Sequence, residues 1–162
     1  MVTSNQPVIN VNMLEHVCVV VKDIDKSVKS FADTFGINFG DIRTIDDKVL
    51  IERTYRGKPG NFSFKIAFAD VGDMKLEVIQ PLEGDSIYRD FLREHGEGLQ
   101  HIGWYKPDTK EEFDETIRKL EQAGFPCIMS GYASHGVAFA YFDTTKLLHT
   151  TLELEFTEKH AQ

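Results

Sequence analysis

The chain has 162 residues, 41% of them hydrophobic and 27% charged, which is the balance of one ordinary globular domain or of two half-size modules sharing a core. Its formal net charge of -8, with no Lys/Arg cluster to offset it, excludes a protein that grips a phosphate backbone. An anionic substrate would need a local positive centre here, and a bound cation supplies one.

Cys18 and Cys127 are far apart in unlike surroundings, so they suggest no disulfide framework and point to a reducing compartment. The N-terminal stretch MVTSNQPVINVNM has neither a basic start nor a long apolar core, so no signal peptide is expected. The longest apolar run, Val17 to Val21, is far too short to span a bilayer. The expectation is a cytoplasmic protein with no membrane and no nucleic-acid partner.

In chain order, Leu14-Glu15-His16-Val17 opens an apolar strand. After Asp-rich punctuation, Val28, Phe31, Ala32 and Phe35 have helical spacing, and Gly36 stops the helix. Strands are predicted over 49–55, 62–71 and 74–80, with Gly72-Asp73 as a tight hairpin turn. A linker over 83–98 contains a short helix, Tyr88–His95, that ends on His95. The pattern then starts again: Leu99-Gln100-His101-Ile102 opens a strand, and Lys106-Pro107-Asp108 makes the polar turn. Phe113, Ile117 and Leu120 mark a helix closing at Gly124, with Trp104 packed beneath it. Strands over 126–130, 137–143 and 150–156 complete the chain. Each half reads β-α-β-β-β. The expected fold is α+β, with paired modules at 12–82 and 99–157 forming a half-open barrel.

Strand alternation sorts the side chains into faces. Val17, Val19 and Val21 oppose His16, Cys18 and Val20; Ile102 and Trp104 oppose His101, Gly103 and Tyr105. Leu76 and Val78 oppose Glu77, and Leu152 and Leu154 oppose Glu153. The apolar faces are predicted to meet the helices, leaving His16, Glu77, His101 and Glu153 on a shared concave surface. Two imidazoles and two carboxylates suit one divalent metal ion such as Zn, Ni, Co, Fe or Mn. Two carboxylates neutralise its charge, and an octahedral ion keeps two positions for water or substrate. Cys18 is read as a small hydrophobe on the same face, and Glu52 as a second-base candidate. His149 is expected to be exposed and His160 to lie in the polar tail.

Leu14–Val17 with Asp23-Ile24-Asp25-Lys26-Ser27, then Met74–Leu82, Gly98–Trp104 and Thr151–Leu154, resemble the vicinal-oxygen-chelate superfamily. This is the glyoxalase, bleomycin-resistance and dioxygenase group, and the look is closest to its methylmalonyl-CoA epimerase and glyoxalase I members. The resemblance runs over about residues 12–156. It implies metal binding by His16, Glu77, His101 and Glu153, with Glu153 as the catalytic base in a proton transfer next to a carbonyl through a metal-stabilised enolate. The implied class is an isomerase, an epimerase or a glyoxalase-type lyase acting on a small oxygen-rich carbonyl or thioester substrate. Lys65 falls about where some epimerases carry a second carboxylate base. Tyr132 and His135, in a loop between Gly131 and Gly136, are placed where superfamily loops close over the substrate. Many members pair through sheet edges, which implies a homodimer. The alternatives are an Fe-dependent ring-cleaving dioxygenase and a non-enzymatic small-molecule-binding protein.

Overall fold

The computed structural model of the protein describes residues 7–11 and 13–158; residues 1–6, the expected module start at residue 12, and His160 lie outside the described residues. β1 (His16–Val20) turns into α1 (Ile24–Phe35) at Asp23, whose carboxylate accepts the Lys26 amide at 3.1 Å. Gly36, at φ +69°, ends the helix with its N–H on the Ala32 carbonyl, a left-handed turn that a Cβ would strain. Next come β2 (Arg43–Ile45), β3 (Leu50–Tyr55), β4 (Lys58–Pro59), β5 (Phe64–Val71) and β6 (Met74–Pro81). α2 (Ile87–His95), capped by Ser86, leads to β7 (Gly98–Tyr105) and α3 (Lys110–Gln122). β8 (Cys127–Ala133), β9 (Val137–Phe142), the short α4 (Thr145–Leu148) and β10 (Thr151–Thr157) complete the described elements.

All ten strands belong to one sheet, in the order β2-β5-β6-β1-β7-β10-β9-β8-β3-β4, curled into a half-open barrel of an α+β fold. β1 and β7 meet antiparallel at its middle. The order then repeats on either side: β1, β6, β5, β2 one way and β7, β10, β9, β8 the other. Within each half the inner pair is parallel, β1 with β6 and β7 with β10.

Four expectations need correcting. The first half's second strand is β2, whose three residues are too few to show a period. The segment taken for it is β3, which leaves its own half and bonds β8 of the other. Arg56 and Gly57, both at positive φ, then make a two-residue hairpin turn to β4. β8 continues through Ala133, so Tyr132 is a strand residue and the connecting loop shrinks to 134–136. Finally, Glu153 pairs with Gly103 but Leu154 pairs with Tyr105, so Trp104 is an extra residue that twists β7. Tyr105 is thereby turned to the outer side, beside Trp104 and Ile102.

The helices use the outer face as the alternation requires. α1 covers Val21, Ala67 and Val78 with Ile24; α3 covers Leu152, Leu154 and Phe156 with Phe113 and Leu120. The concave face is filled at one end only. There Ile87 and Tyr88 of α2 plug the trough against Val20, Phe62, Ile79 and Met129. No helix among the described residues is long and apolar enough to cross a membrane.

Ile24 is fully buried while Phe35, on the same helix, is 69% exposed. Ile24→Ala is expected to cost about 2–4 kcal/mol in urea unfolding, with an unchanged slope. Phe35→Ala should stay within about 0.5 kcal/mol of the parent. Equal losses for both would mean that α1 does not seat on the sheet as described.

Candidate metal centre

His16, Glu77, His101 and Glu153 stand on four neighbouring strands, β1, β6, β7 and β10, and each is at most 4% exposed. One ligand atom from each lies within 4.8 Å of all the others. The strand register explains how. His16 pairs across β1 and β7 with Gly103, and Gly103 pairs with Glu153. His16 Nε2 reaches over that glycine to Glu153 Oε2 at 2.7 Å. In the mirror arrangement, Cys18 pairs with both Glu77 and His101. His101 Nε2 reaches over the cysteine to Glu77 Oε2 at 2.9 Å, and to Glu153 Oε2 at 3.0 Å. Each histidine thus meets the carboxylate of the other half, across a small residue. A Cβ on Gly103 would come within 2.3 Å of His16 Cε1, so any other residue there displaces the ring.

His101 is further aimed from behind. Its Nδ1 is 2.6 Å from Gln100 Oε1, and the same amide's Nε2 donates to Thr151 Oγ1 at 3.4 Å. An Nδ1–H donated to that oxygen leaves the Nε2 lone pair facing the cluster, the usual arrangement behind a ligating imidazole.

Burial works to lower the His16 and His101 pKa values, but the Glu153 and Glu77 carboxylates outweigh it and push both up to about 9. Burial alone would raise the Glu153 carboxyl, yet the two imidazoles hold it well below the usual carboxylate range. Two imidazoliums between two carboxylates form a neutral set. Two neutral imidazoles, two carboxylates and one dication form the same neutral set, so the donors fit a divalent ion that replaces two protons. Cys18 does not join them: burial, and then Glu77, push its thiol well above the ordinary range.

Above the cluster opens a cavity of about 470 Å³. Phe64, Ile66, Phe68 and Phe139 wall it, and Tyr88 and Tyr141 close its deep side, their hydroxyls 2.7 Å apart. Its mouth carries Arg43, Lys75, Lys106 and His135 with Glu15 and Glu155. Gly131 makes room for the Phe139 ring, which a Cβ would meet at 2.3 Å.

Of the other predicted site residues, only His135 lines this cavity, from an exposed position. Lys65 does not: alternation on β5 turns Phe64, Ile66 and Phe68 inward, and Lys65 outward to Asp25 of α1 at 3.2 Å. Tyr132 packs on the outer side with Trp104 and Ile117, because its β8 neighbours Gly131 and Ala133 take the inner face. Glu52 is exposed on β3 and is not part of the cavity lining. His149 is exposed at the end of α4, as expected. Arg43, Lys106, Glu155, Tyr88 and Tyr141 were not singled out as site residues. Glu155 had a readable signal, since it shares a strand face with Glu153; Arg43 sits on a strand too short to read.

Metal analysis of the purified protein is expected to find about one divalent ion per chain, falling sharply in His16→Ala and His101→Ala. Gly103→Ala should weaken binding by about 10- to 100-fold, the scale for disturbing a ligand's support. Unchanged metal content in all three variants would remove the assignment. Displacing two protons makes apparent affinity rise with pH until about 9, by up to about a hundredfold per unit. The stability sign is opposite in metal-free protein. Its raised histidines stabilise fully below their unfolded value of 6.5, and that contribution is lost as pH rises through about 9. A melting temperature of metal-free protein that rises over that window would contradict the pairing.

Comparison with known proteins agrees with this fold. The structure is similar to a methylmalonyl-CoA epimerase from Mycobacterium tuberculosis, with a TM-score of 0.66 and 18% identity, covering 92% of this chain and 90% of that one. It is similar also to a Streptomyces coelicolor methylmalonyl-CoA epimerase variant in complex with 2-nitronate-propionyl-CoA: TM-score 0.67, 15% identity, covering 91% of this chain and 96% of that one. At these identities the likeness shows the fold. In sequence, the chain is 28% identical over 93 residues to an uncharacterised Bacillus subtilis protein, YqjC, a match spanning 57% of this chain and only 56% of that relative. Residues 15–141 match the sequence profile of one family, and the chain belongs to it: the Glyoxalase/Bleomycin resistance protein/Dioxygenase superfamily.

Proposed function

We propose that the protein is a divalent-metal-dependent enzyme that moves a proton next to a carbonyl, as an isomerase, an epimerase or a glyoxalase-type lyase. The observation that carries this reading is the buried, charge-balanced cluster of two histidines and two carboxylates at the floor of a cavity. His16, Glu77, His101 and Glu153 would hold the ion. When bound, it supplies Lewis acidity for the negative charge that develops on a substrate oxygen.

The chain's own groups do the rest. Glu153 is the proposed base: Leu152 and Leu154 are each buried on the opposite face, so its backbone is anchored and its carboxylate aimed. Glu77 enters from the other half of the sheet, leaving the substrate between two carboxylates of separate origin. The β5 wall carries Phe64, Ile66 and Phe68 and no carboxylate, so Glu77 is the proposed partner of Glu153 in proton removal and return. The aromatic walls exclude water from the reacting carbon. Two phenol hydroxyls joined by one hydrogen bond hold a second O–H that is free to donate toward a bound oxygen.

The substrate class is a carbonyl or thioester compound. Two structural neighbours support it: the Streptomyces coelicolor variant is held with 2-nitronate-propionyl-CoA, and a further methylmalonyl-CoA epimerase is in complex with methylmalonyl-CoA. A homodimer belongs to the same reading and is supported by Ile51, 60% exposed on β3 near a sheet edge. Sedimentation showing only an 18.5 kDa species at micromolar concentration would remove it.

Exchange of the α proton in deuterated water, followed by NMR with methylmalonyl-CoA as the first substrate, tests the mechanism. Glu153→Gln keeps the shape and one coordinating oxygen but loses the basicity. It should keep its fold and metal while exchange falls by about 10²-fold or more. Full exchange in that variant would shift the base to Glu77.

A further inference from the structure

Among the described residues, Arg43 is the one Arg or Lys side chain at the mouth of the cavity without an ion-pair partner. Arg43 pairs with Ile66 across β2 and β5, and directly paired residues share a sheet face. Its side chain therefore stands on the concave wall with Phe64, Ile66 and Phe68. The guanidinium lies 5.7 Å from the centroid of the Phe68 ring, which gives it a seat but no counter-charge. The two lysines of the mouth are matched: Lys75 with Asp70 at 3.3 Å, and Lys106 with Glu15 at 3.0 Å and Glu155 at 2.7 Å. Among the described residues Arg43 forms no ion pair, in a chain with 26 acidic residues to choose from.

Phe68 is the register partner of Glu77, so Arg43 sits beside the row that carries the metal cluster. β2 lies three strand intervals of about 4.8 Å from β1, and the arginine side chain spans part of that distance. Between them the wall is apolar, formed by Ile66 and Phe68. We infer that the cavity selects substrates that carry an oxyanion, a carboxylate or a phosphate-type group, on an apolar spacer beyond the chelating oxygens, and that Arg43 holds that oxyanion. Arg is suited to this because its planar fork binds a carboxylate or phosphate through two parallel hydrogen bonds. The inference rests on the proposed chelating centre and adds to it a determinant of which carbonyl compound enters.

Three hydroxamates of equal length separate the ideas, because each chelates through the same two oxygens. Hexanohydroxamate ends in a methyl, adipate monohydroxamate in a carboxylate and 5-phosphonopentanohydroxamate in a phosphonate. Titrated into cobalt(II)-loaded protein and read in the visible spectrum of the ion, at least one anionic tail should bind roughly tenfold more tightly than the methyl tail, the scale of a bidentate charged contact. That preference should shrink with added salt. Whichever anionic tail binds more tightly identifies the oxyanion class. Arg43→Ala should abolish the preference while leaving hexanohydroxamate affinity as it was. Equal binding of all three tails by the parent protein, or a uniform loss in Arg43→Ala, would overturn the inference while leaving the chelating centre intact. So would loss of the preference in Lys75→Ala with Arg43 present. If no hydroxamate perturbs the cobalt spectrum, the chelating centre itself fails and the inference falls with it.

Discussion

Two carboxylates buried in the middle of a sheet are the constraint around which this molecule is arranged. Glu77 and Glu153 are each 4% exposed, and burial of a bare carboxylate costs several kcal/mol unless a positive charge accompanies it. The protein meets that demand by crossing its halves, His16 to Glu153 and His101 to Glu77. His101 also meets Glu153 of its own half at 3.0 Å, but Glu77 finds its close partner only across the seam. The antiparallel pairing of β1 with β7 is therefore tied to the charge balance of the core, and a dication at the centre satisfies the same balance with the protons gone.

The crossing dictates which residues may stand between. A side chain that spans from one strand to the next but one must pass over whatever occupies the strand in the middle. Gly103 and Cys18 hold those two middle positions, one in each half. Their smallness follows from the His16 and His101 rings above them and needs no catalytic role for the thiol. The same economy governs Gly131, beneath Phe139.

The cavity follows from an asymmetry between the ends of the trough. α2 drives Ile87 and Tyr88 into one end, and the concave core is closed there. At the other end the strands offer Glu15, Lys75, Lys106 and Glu155, charged groups that favour contact with water over an apolar plug. The result is a pocket with a polar floor, aromatic walls and a charged rim. Such a pocket orients a ligand by both ends and keeps water from its middle.

Much of this was legible in the residues themselves. A period of two is strictly local, so Val17-Val19, Leu76-Val78 and Leu152-Leu154 announced buried faces, and their polar alternates followed by geometry. The repetition of His and Glu in both halves placed His16, Glu77, His101 and Glu153 on one surface, where the structure brings them together. Alternation also misassigned residues wherever it was interrupted. The extra residue at Trp104 turned Tyr105 outward. Tyr132, expected in a loop, lies instead on the longer β8 and faces away from the cavity. Lys65 was assigned by its place in the chain, while its face was decided by Phe64 and Ile66 on either side. What the sequence determined by itself was local: strand faces, helix caps such as Asp23 and Gly36, and the order of the elements. Which strand pairs with which is a choice among distant partners, and only the tertiary structure made it. It sent β3 across to β8, gave the three residues of β2 their place on the wall and brought Arg43 to the mouth. Such pairings depend on hydrogen bonds and packing between segments far apart in the chain, and no local pattern records them.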